Sequence, residues 1–301
     1  MIDKNDLNEQ IENLNECENC KDIQIKKFSP IMDYNDYYKL DDDFMRCRCG
    51  KRPLDIVMAH ILKIMIEEDV VSQNATLRRN SPVPLSSLYY STLNPQFIGE
   101  NMLILLHPDF TDKAAHRLIE EVSEVKGVLK GNPQKTVGQF DKNSEINHFE
   151  LLEGSDEQIN IVRTLLNEKI ILFKNQSKNH IEVAMTTEEK LIRLHNYLDS
   201  HEIQKNIALD GLCGGGAMGI YLLKYGFEKV IFNDINPEAI ETLKANLELN
   251  DITEGFEIYN ESFEDLDIDN LDLCVIDAFP GSDTSEIVEK AEKIAENVVV
   301  I

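Results

Sequence analysis

The sequence predicts an α/β protein: a parallel, nucleotide-binding βαβ domain over residues 201–301, an α+β domain over 51–200, and a polar cysteine-containing segment over 1–50. Three observations lead there. A short apolar run, Ile207-Ala208-Leu209, ends in Asp210 and enters a loop holding Gly214, Gly216 and Gly219. Beyond that loop, strand-like and helix-like segments alternate to the end of the chain, the pattern of a parallel sheet. The first 50 residues, by contrast, lack a sustained hydrophobic period and hold four of the six cysteines.

Taken in order, the chain first offers Cys17 and Cys20 in CENC, after a short acidic segment that can form a helix, and then Cys47 and Cys49 in CRCG. Two such pairs can give one tetrahedral zinc four thiolates, and binding would order a segment too polar to fold by burial. An iron–sulfur cluster and unconnected reduced thiols are the competing readings. The N-terminus, MIDKNDLNEQ, is polar and unlike a secretion signal, which disfavours disulfides. Cys213 and Cys274 lie in apolar contexts and are expected to pack.

Leu54, Val57, Met58, Ile61, Leu62 and Met65 have helical spacing and predict one buried face, with His60 structural beside it. Residues 72–96, rich in Asn, Ser and Pro, read as a long loop. Met102–Leu106 and Val125–Leu129 read as strands on either side of a helix capped by Thr111. A further helix is expected over Glu157–Leu166, then a hairpin pairing Ile170–Phe173 with His180–Ala184. His107, Lys130, Lys174, Gln176 and His180 fall near strand ends and are expected mostly at the surface. Thr186 and Glu189 have capping-box spacing and predict a helix that starts there and carries Leu191, Leu194 and Leu198 on its buried side.

Ile207–Leu209 is the strand that feeds the glycine loop, and the apolar run Ile220–Leu223 is the helix that leaves it. Gly214, Gly216 and Gly219 stand in GxGxxG spacing, which lets the backbone turn at positive φ and lets a ligand approach without a Cβ in the way. A second strand, Val230–Phe232, ends in Asn233-Asp234, about 20 residues past the first glycine. A carboxylate there can accept hydrogen bonds from both hydroxyls of a ribose. Asn236 as N-cap, Pro237 and Glu238 start the next helix. Dinucleotide-binding loops place the first glycine directly at the strand end, so that pyrophosphate meets the helix N-terminus. Here Gly211-Leu212-Cys213 intervene. That spacing suits S-adenosylmethionine, which has no phosphate and whose ammonium group can meet Asp210.

The segment resembles the cofactor-binding half of the class I S-adenosylmethionine-dependent methyltransferases, which are Rossmann-like. FNDINPEAIETLKANLELN is similar to the matching stretch of the tRNA guanine-N2 methyltransferases, and LDLCVIDAFPGS resembles their fourth-strand motif. The likeness covers about a third of the chain and speaks to cofactor rather than acceptor. It implies a cofactor set of Asp210, Gly211, Gly214, Gly216, Asp234, Ile235, Glu261 and Ser262. Glu261, after a third strand Phe256–Tyr259, would meet the adenine amino group, with Phe263 stacking nearby. Asp277 and Phe279 are the implied catalytic pair, holding and stacking the acceptor.

Two features depart from the family. Asp277-Ala278-Phe279-Pro280 lacks the paired prolines common in amino-group methyltransferases. Val298–Ile301 reads as a fifth strand where the family sheet has seven, so either the sheet is short or upstream strands complete it. A nicotinamide enzyme, an aminopropyl-transferring relative and a non-catalytic cofactor-binding scaffold remain open alternatives.

Lys plus Arg is 30 against 55 Asp plus Glu, a formal charge of −25. A surface of this sign repels polyphosphate and favours a small-molecule or protein acceptor over RNA. A tRNA acceptor stays possible through Arg46, Arg48, Lys51, Arg52, Arg78 and Arg79, unless these pair with carboxylates. The most apolar helix, Ile56–Ile66, is interrupted by His60 and Lys63, so no membrane span is expected and a cytoplasmic enzyme is the simple reading.

Overall fold

The structure is a computed structural model that describes residues 17–21, 23–90, 97–138, 146–182, 184–279 and 281–301. The acidic segment before Cys17, the end of the loop read over 72–96, and Pro280 lie wholly or partly outside the described residues. The chain divides into two compact units, residues 1–158 with 176–180 and residues 159–175 with 181–301. These units cross the divisions at 50 and 200 that the sequence suggests.

In the first unit β1 (Arg52–Pro53) leads into α1 (Leu54–Glu67); Val57, Met58, Ile61, Leu62 and Met65 of the expected face are buried and Leu54 is half-buried, but Ile56, Ala59, His60, Ile64 and Ile66 are buried too, so the helix is covered on more than one face. A short helix α2 (Leu77–Asn80), β2 (Val83–Ser86) and β3 (Leu88–Tyr90) occupy the stretch read as loop. β4 (Phe97–Ile98) pairs antiparallel with β1. β5 (Leu103–His107), α3 (Asp112–Glu121) and β6 (Val125–Lys130) form a parallel βαβ crossover, and Thr111 caps α3 by accepting from the Ala114 amide at 3.2 Å. With β7 (Glu150–Gly154) the sheet order is β2-β5-β6-β7, antiparallel at both edges.

The arginines of the basic concentration separate by role. Arg52 is fully buried and grips the equally buried Glu124, with its Nε 2.8 Å from Oε1. Arg46 joins the same carboxylate at 3.1 Å and Asp42 at 2.9 Å. Burying an arginine is tolerable only with such pairing, and removing one partner typically costs about 3–5 kcal/mol. Arg48, Arg78 and Arg79 are the exposed ones. His60 is buried and neutral, its pKa pushed down to about 4 by burial.

The second unit holds the hairpin strands β8 (Glu157–Arg163, entering from the first unit) and β9 (Lys169–Asn175), then α4 (Ala184–Ser200) and a five-stranded parallel sheet. The sheet elements are β10 (Ile207–Asp210), α5 (Ala217–Tyr225), β11 (Lys229–Asn233), α6 (Pro237–Leu249), β12 (Phe256–Tyr259), β13 (Leu273–Ile276), α7 (Ser285–Ile294) and β14 (Val298–Val300). Their order is β12-β11-β10-β13-β14 with every pair parallel. The order reverses between β10 and β13, which opens a crevice at the carboxyl ends of those two strands.

Three sequence expectations need correction, and of the two alternatives left for the parallel sheet the short one holds. Residues 157–163 are a strand, because Ile159, Ile161 and Val162 are β-branched and the whole run Gln158–Val162 is buried, erasing the alternation that marks a half-exposed strand. β9 therefore pairs with β8 around a turn in which Asn167 takes φ 59, and residues 180–182 run on toward α4 instead of forming a strand. α4 starts at Ala184, so Thr186 lies inside the helix and does not cap it. Among the described residues no upstream strand joins the parallel sheet, which has five strands. No helix among the described residues is long and apolar enough to cross a membrane.

Candidate active site

The glycine turn after β10 is held by backbone contacts from its neighbours. Gly211 N–H donates to Val275 O at 2.9 Å and Cys213 N–H to Asn233 O at 2.8 Å, so the turn is stitched to both flanking strands. Gly216 takes φ 85 as the N-cap of α5, a left-handed position where a Cβ would also strike Leu243 Cδ1 at 2.3 Å. Gly219 lets α5 sit directly on β11, since a Cβ there would be 2.1 Å from the Phe232 ring.

Three carboxylates gather at the carboxyl ends of adjacent strands. Asp210 ends β10 and is fully buried; Oδ2 accepts from Gly219 N–H at 2.7 Å, while Oδ1 has no donor. Burial pushes its pKa up to about 7, the Gly219 amide opposes this, and the charges of Asp277 and Asp234 add to the rise. Asp234, after β11, accepts from Gly214 N–H and from Asn236 N–H, both at 2.8 Å, and burial raises its pKa against those two amides. It thus fixes the turn and starts α6 with the same side chain, leaving lone pairs for a further donor.

Asp277 follows β13. Its Oδ2 lies 2.9 Å from the Lys190 ammonium of α4, its Oδ1 is buried with no donor, and burial raises its pKa in opposition to Lys190. Lys190 also pairs with Glu182 at 2.8 Å; burial works against its charge, but the two carboxylates win and its pKa is raised.

The remaining residues of the expected set divide. Ile235 is exposed, 46% of its surface free, beside the aspartate expected to meet a ribose. The Glu261 amide donates to Asn233 Oδ1 at 3.3 Å, which draws the loop after β12 onto β11. The Ser262 hydroxyl is spent locally on Glu264, whose pKa that bond lowers. Phe263 is 2% exposed and packs where a Cβ on Gly211 would meet its Cε2 at 2.5 Å, so its ring is core and not an open stacking face.

Sequence reasoning missed Lys190, Glu182, Asn233 and Asn260. Asn233 links three strand ends, donating to Gly211 O at 3.2 Å while accepting from Glu261, and Asn260 donates to the carbonyls of Asp234 and Ile235 at 2.7 and 3.0 Å. Both asparagines stand beside residues that were picked out, which was the available signal. Lys174 and Gln176, expected at the surface, are buried; Lys174 donates to Glu182 O at 2.5 Å and burial lowers its pKa to about 8.

Residues 181–269 match the family model of the N2,N2-dimethylguanosine tRNA methyltransferases. The ribosomal protein L11 methyltransferase of Colwellia psychrerythraea is 36% identical over 63 residues, 21% of this chain and 22% of that protein. The corresponding enzyme of Shewanella sp. strain ANA-3 is 33% identical over 102 residues, 34% of this chain and 33% of that one. The match thus spans a fifth to a third of the length of these relatives. In fold, the chain is similar to Pyrococcus abyssi tRNA (uracil-54, C5)-methyltransferase in complex with S-adenosyl-L-homocysteine, at 16% identity and TM-score 0.50 over 83% of this chain and 56% of that one. The second unit is thus similar, in sequence over residues 181–269 and in fold, to the class I S-adenosylmethionine-dependent methyltransferases.

Asp210 Oδ1 and Asp277 Oδ1 are buried without a donor, which is costly unless a ligand supplies positive charge or an N–H; at Asp210 such a group fits the ammonium of S-adenosylmethionine.

A second cluster lies in the first unit. Cys17, Cys20, Cys47 and Cys49 place their sulfurs within 4.8 Å of one another. Cys17 and Cys47 are 3.5 Å apart, Cys17 and Cys20 3.7 Å, and Cys20 and Cys49 3.6 Å. Four thiolates about 2.3 Å from a central zinc stand about 3.8 Å apart, a separation that these three pairs match. Turns bring each pair together: Cys20 N–H donates to Cys17 O at 2.9 Å, and Gly50 N–H to Cys47 O at 2.9 Å with Gly50 at φ 85.

Proposed function

We propose that the protein transfers the methyl group of S-adenosylmethionine to an acceptor lying over Asp277 and Phe279. The observation that carries this is the convergence of Asp210, Asp234 and Asp277 on the ends of β10, β11 and β13 around the glycine turn. Asp210 Oδ1 takes the ammonium of the methionine moiety, Gly211, Gly214 and Gly216 shape the space beside it, and Asp234 holds the ribose. Ile235 covers one face of the adenine, and Glu261 with Ser262 borders its amino edge.

The cosubstrate supplies a methyl carbon on a sulfonium. As the acceptor atom bonds to that carbon, the carbon–sulfur bond breaks and its electron pair stays on sulfur, leaving S-adenosylhomocysteine. The protein's part is to hold nucleophile, carbon and sulfur in line. Asp277 Oδ1 accepts a hydrogen bond from the acceptor and takes its proton where the nucleophile must lose one.

For the acceptor, the formal charge of −25 together with the internal pairing of Arg46 and Arg52 favours a small molecule or a protein. The family model matched over residues 181–269 supports a second reading, a tRNA. We further infer that the four cysteines hold one zinc ion, supported by their sulfur spacing.

The test is calorimetry with S-adenosylhomocysteine followed by labelled methyl transfer into cell extract divided by ribonuclease and protease treatment. No uptake of the ligand refutes the methyltransferase reading. Label lost on ribonuclease treatment establishes RNA and overturns the small-molecule or protein preference.

A further inference from the structure

β9 is flanked by β8 on one edge, and its other edge meets no strand among the described residues. That edge is read instead by two asparagines of the α6 segment. Ile171 N–H donates to Asn250 Oδ1 at 3.0 Å, and Asn250 Nδ2 donates back to Ile171 O at 2.7 Å. One step along, Phe173 N–H donates to Asn246 Oδ1 at 2.6 Å. The match is geometric. Alternate strand residues present their amides to the same edge about 6.6 Å apart, and helix residues four apart rise about 6.0 Å, so an i, i+4 pair of carboxamides can stand in for a neighbouring strand.

Asn246 does a second thing with its other half. Its Nδ2 donates to Gly215 O at 2.8 Å, inside the glycine turn, and the side chain is 1% exposed. The turn is thereby held from two sides, Gly214 N–H by Asp234 and Gly215 O by Asn246. Gly215 leaves room for this: a Cβ there would lie 3.1 Å from Asn246 Nδ2.

We propose that Asn246 is a positioning residue for cosubstrate binding, which sets the glycine turn through Gly215 and ties that turn to β9 through Phe173. The inference rests on the reading that the turn binds an adenosyl ligand. Because one rigid carboxamide serves both contacts, a ligand that orders the turn must also protect the Phe173 amide, and the coupling is reciprocal.

Asn246→Asp separates the two contacts, since it keeps the acceptor for Phe173 N–H and replaces the donor facing Gly215 O with an acceptor. Asn250→Ala removes the two bonds to Ile171 and the Nδ2 bond to Asn246 O at 2.7 Å, and leaves the Asn246 carboxamide on Gly215 and Phe173. Each variant is measured by calorimetry with S-adenosylhomocysteine, by amide exchange over 169–175 and by thermal melting. Expected for Asn246→Asp is an affinity loss of about tenfold or more, with β9 protection no longer responding to ligand. Asn250→Ala is expected to speed exchange at Ile171 and leave affinity within about twofold.

Gly215→Ala guards against a misfolded Asn246→Asp: it crowds Nδ2 without removing it, and its effect is expected to be less than additive with Asn246→Asp. Unchanged affinity in both Asn246→Asp and Gly215→Ala overturns the proposal, as does an equal loss in Asn250→Ala, which would mean general loosening of α6. Wild-type protein that takes up no S-adenosylhomocysteine overturns the underlying cosubstrate reading and this inference with it.

Discussion

If Asp210 meets the ammonium as proposed, binding of the cosubstrate is expected to be pH-dependent where that of its neutral fragments is not. The carboxyl is fully buried, one oxygen lacks a donor, and its pKa is raised to about 7 in the free protein. A cation bound beside Oδ1 requires the ionised form, so binding expels a proton wherever the free carboxyl holds one. With a pKa of about 7, roughly half the molecules are ionised at pH 7 and about 1% at pH 5, so affinity for S-adenosylmethionine falls about fifty-fold across that interval.

Adenosine, which carries neither the ammonium nor the sulfonium, is expected to bind with little change over the same range. Asp210→Asn should bind S-adenosylmethionine weakly and flatten its pH dependence. Isothermal calorimetry in buffers of different ionisation heat reads both the affinity and the expelled proton. Equal affinity for S-adenosylmethionine at pH 5 and pH 7, or an equal fall for adenosine, refutes the assignment of Asp210 to the ammonium.

The same carboxyl sets a sign for stability. Its folded pKa lies above the unfolded value of 3.8, so the folded state holds the extra proton between about pH 4 and 7, and stability falls as pH rises through that window. A rise of about three units corresponds to at most about 4 kcal/mol, so Asp210→Asn should melt higher than wild type at pH 8 and not at pH 4.

Replacing Lys190 by Met leaves Asp277 buried without its cation; the carboxyl pKa should rise further, urea unfolding should show a loss of about 2–3 kcal/mol, and Lys190→Arg should restore most of it. Asp234→Ala removes the acceptor of both Gly214 and Asn236 amides and should weaken S-adenosylhomocysteine about a hundredfold; calorimetry showing no change would exclude Asp234 from the site. Purified protein should carry stoichiometric zinc by mass spectrometry, and Cys20→Ser should lose it and lower the melting temperature of the first unit. Colour in the visible range would point to iron and sulfur instead.

What the sequence made legible was local. The glycine turn, the aspartates at the ends of β10 and β11, and the Asn236-Pro237-Glu238 start of α6 are each specified by residues within one strand–turn–helix unit, and the structure follows them closely. The Lys190–Asp277 pair joins residues 87 apart, and nothing in the run around Lys190 distinguishes it from a solvated helix lysine. β8 failed for a related reason. Its five central residues are all buried, so neither the period of a helix nor the alternation of a strand was visible, and Leu165 with Leu166 extended the apolar run into what is a turn.

Charge was legible in amount but not in placement. Of the six basic residues that suggested a nucleic-acid surface, Arg46 and Arg52 are consumed by Glu124 and Asp42, and Lys51 is buried. Around the glycine turn acidic side chains gather instead: Asp210, Asp234 and Asp277 stand on adjacent strand ends, with Lys190 paired to Asp277 and Glu182 and the Arg193 charge also acting on Asp277. On the proposed reading, a field of this sign would favour a cationic cosubstrate over its product, in which the sulfonium has become a neutral thioether, and would oppose phosphate at the acceptor side. S-adenosylhomocysteine keeps the ammonium expected to meet Asp210, so its binding should fall between pH 7 and pH 5 as the cosubstrate's does, while the loss of the sulfonium charge should weaken its salt dependence; equal salt dependences would show that the field of the carboxylates does not act on the sulfonium.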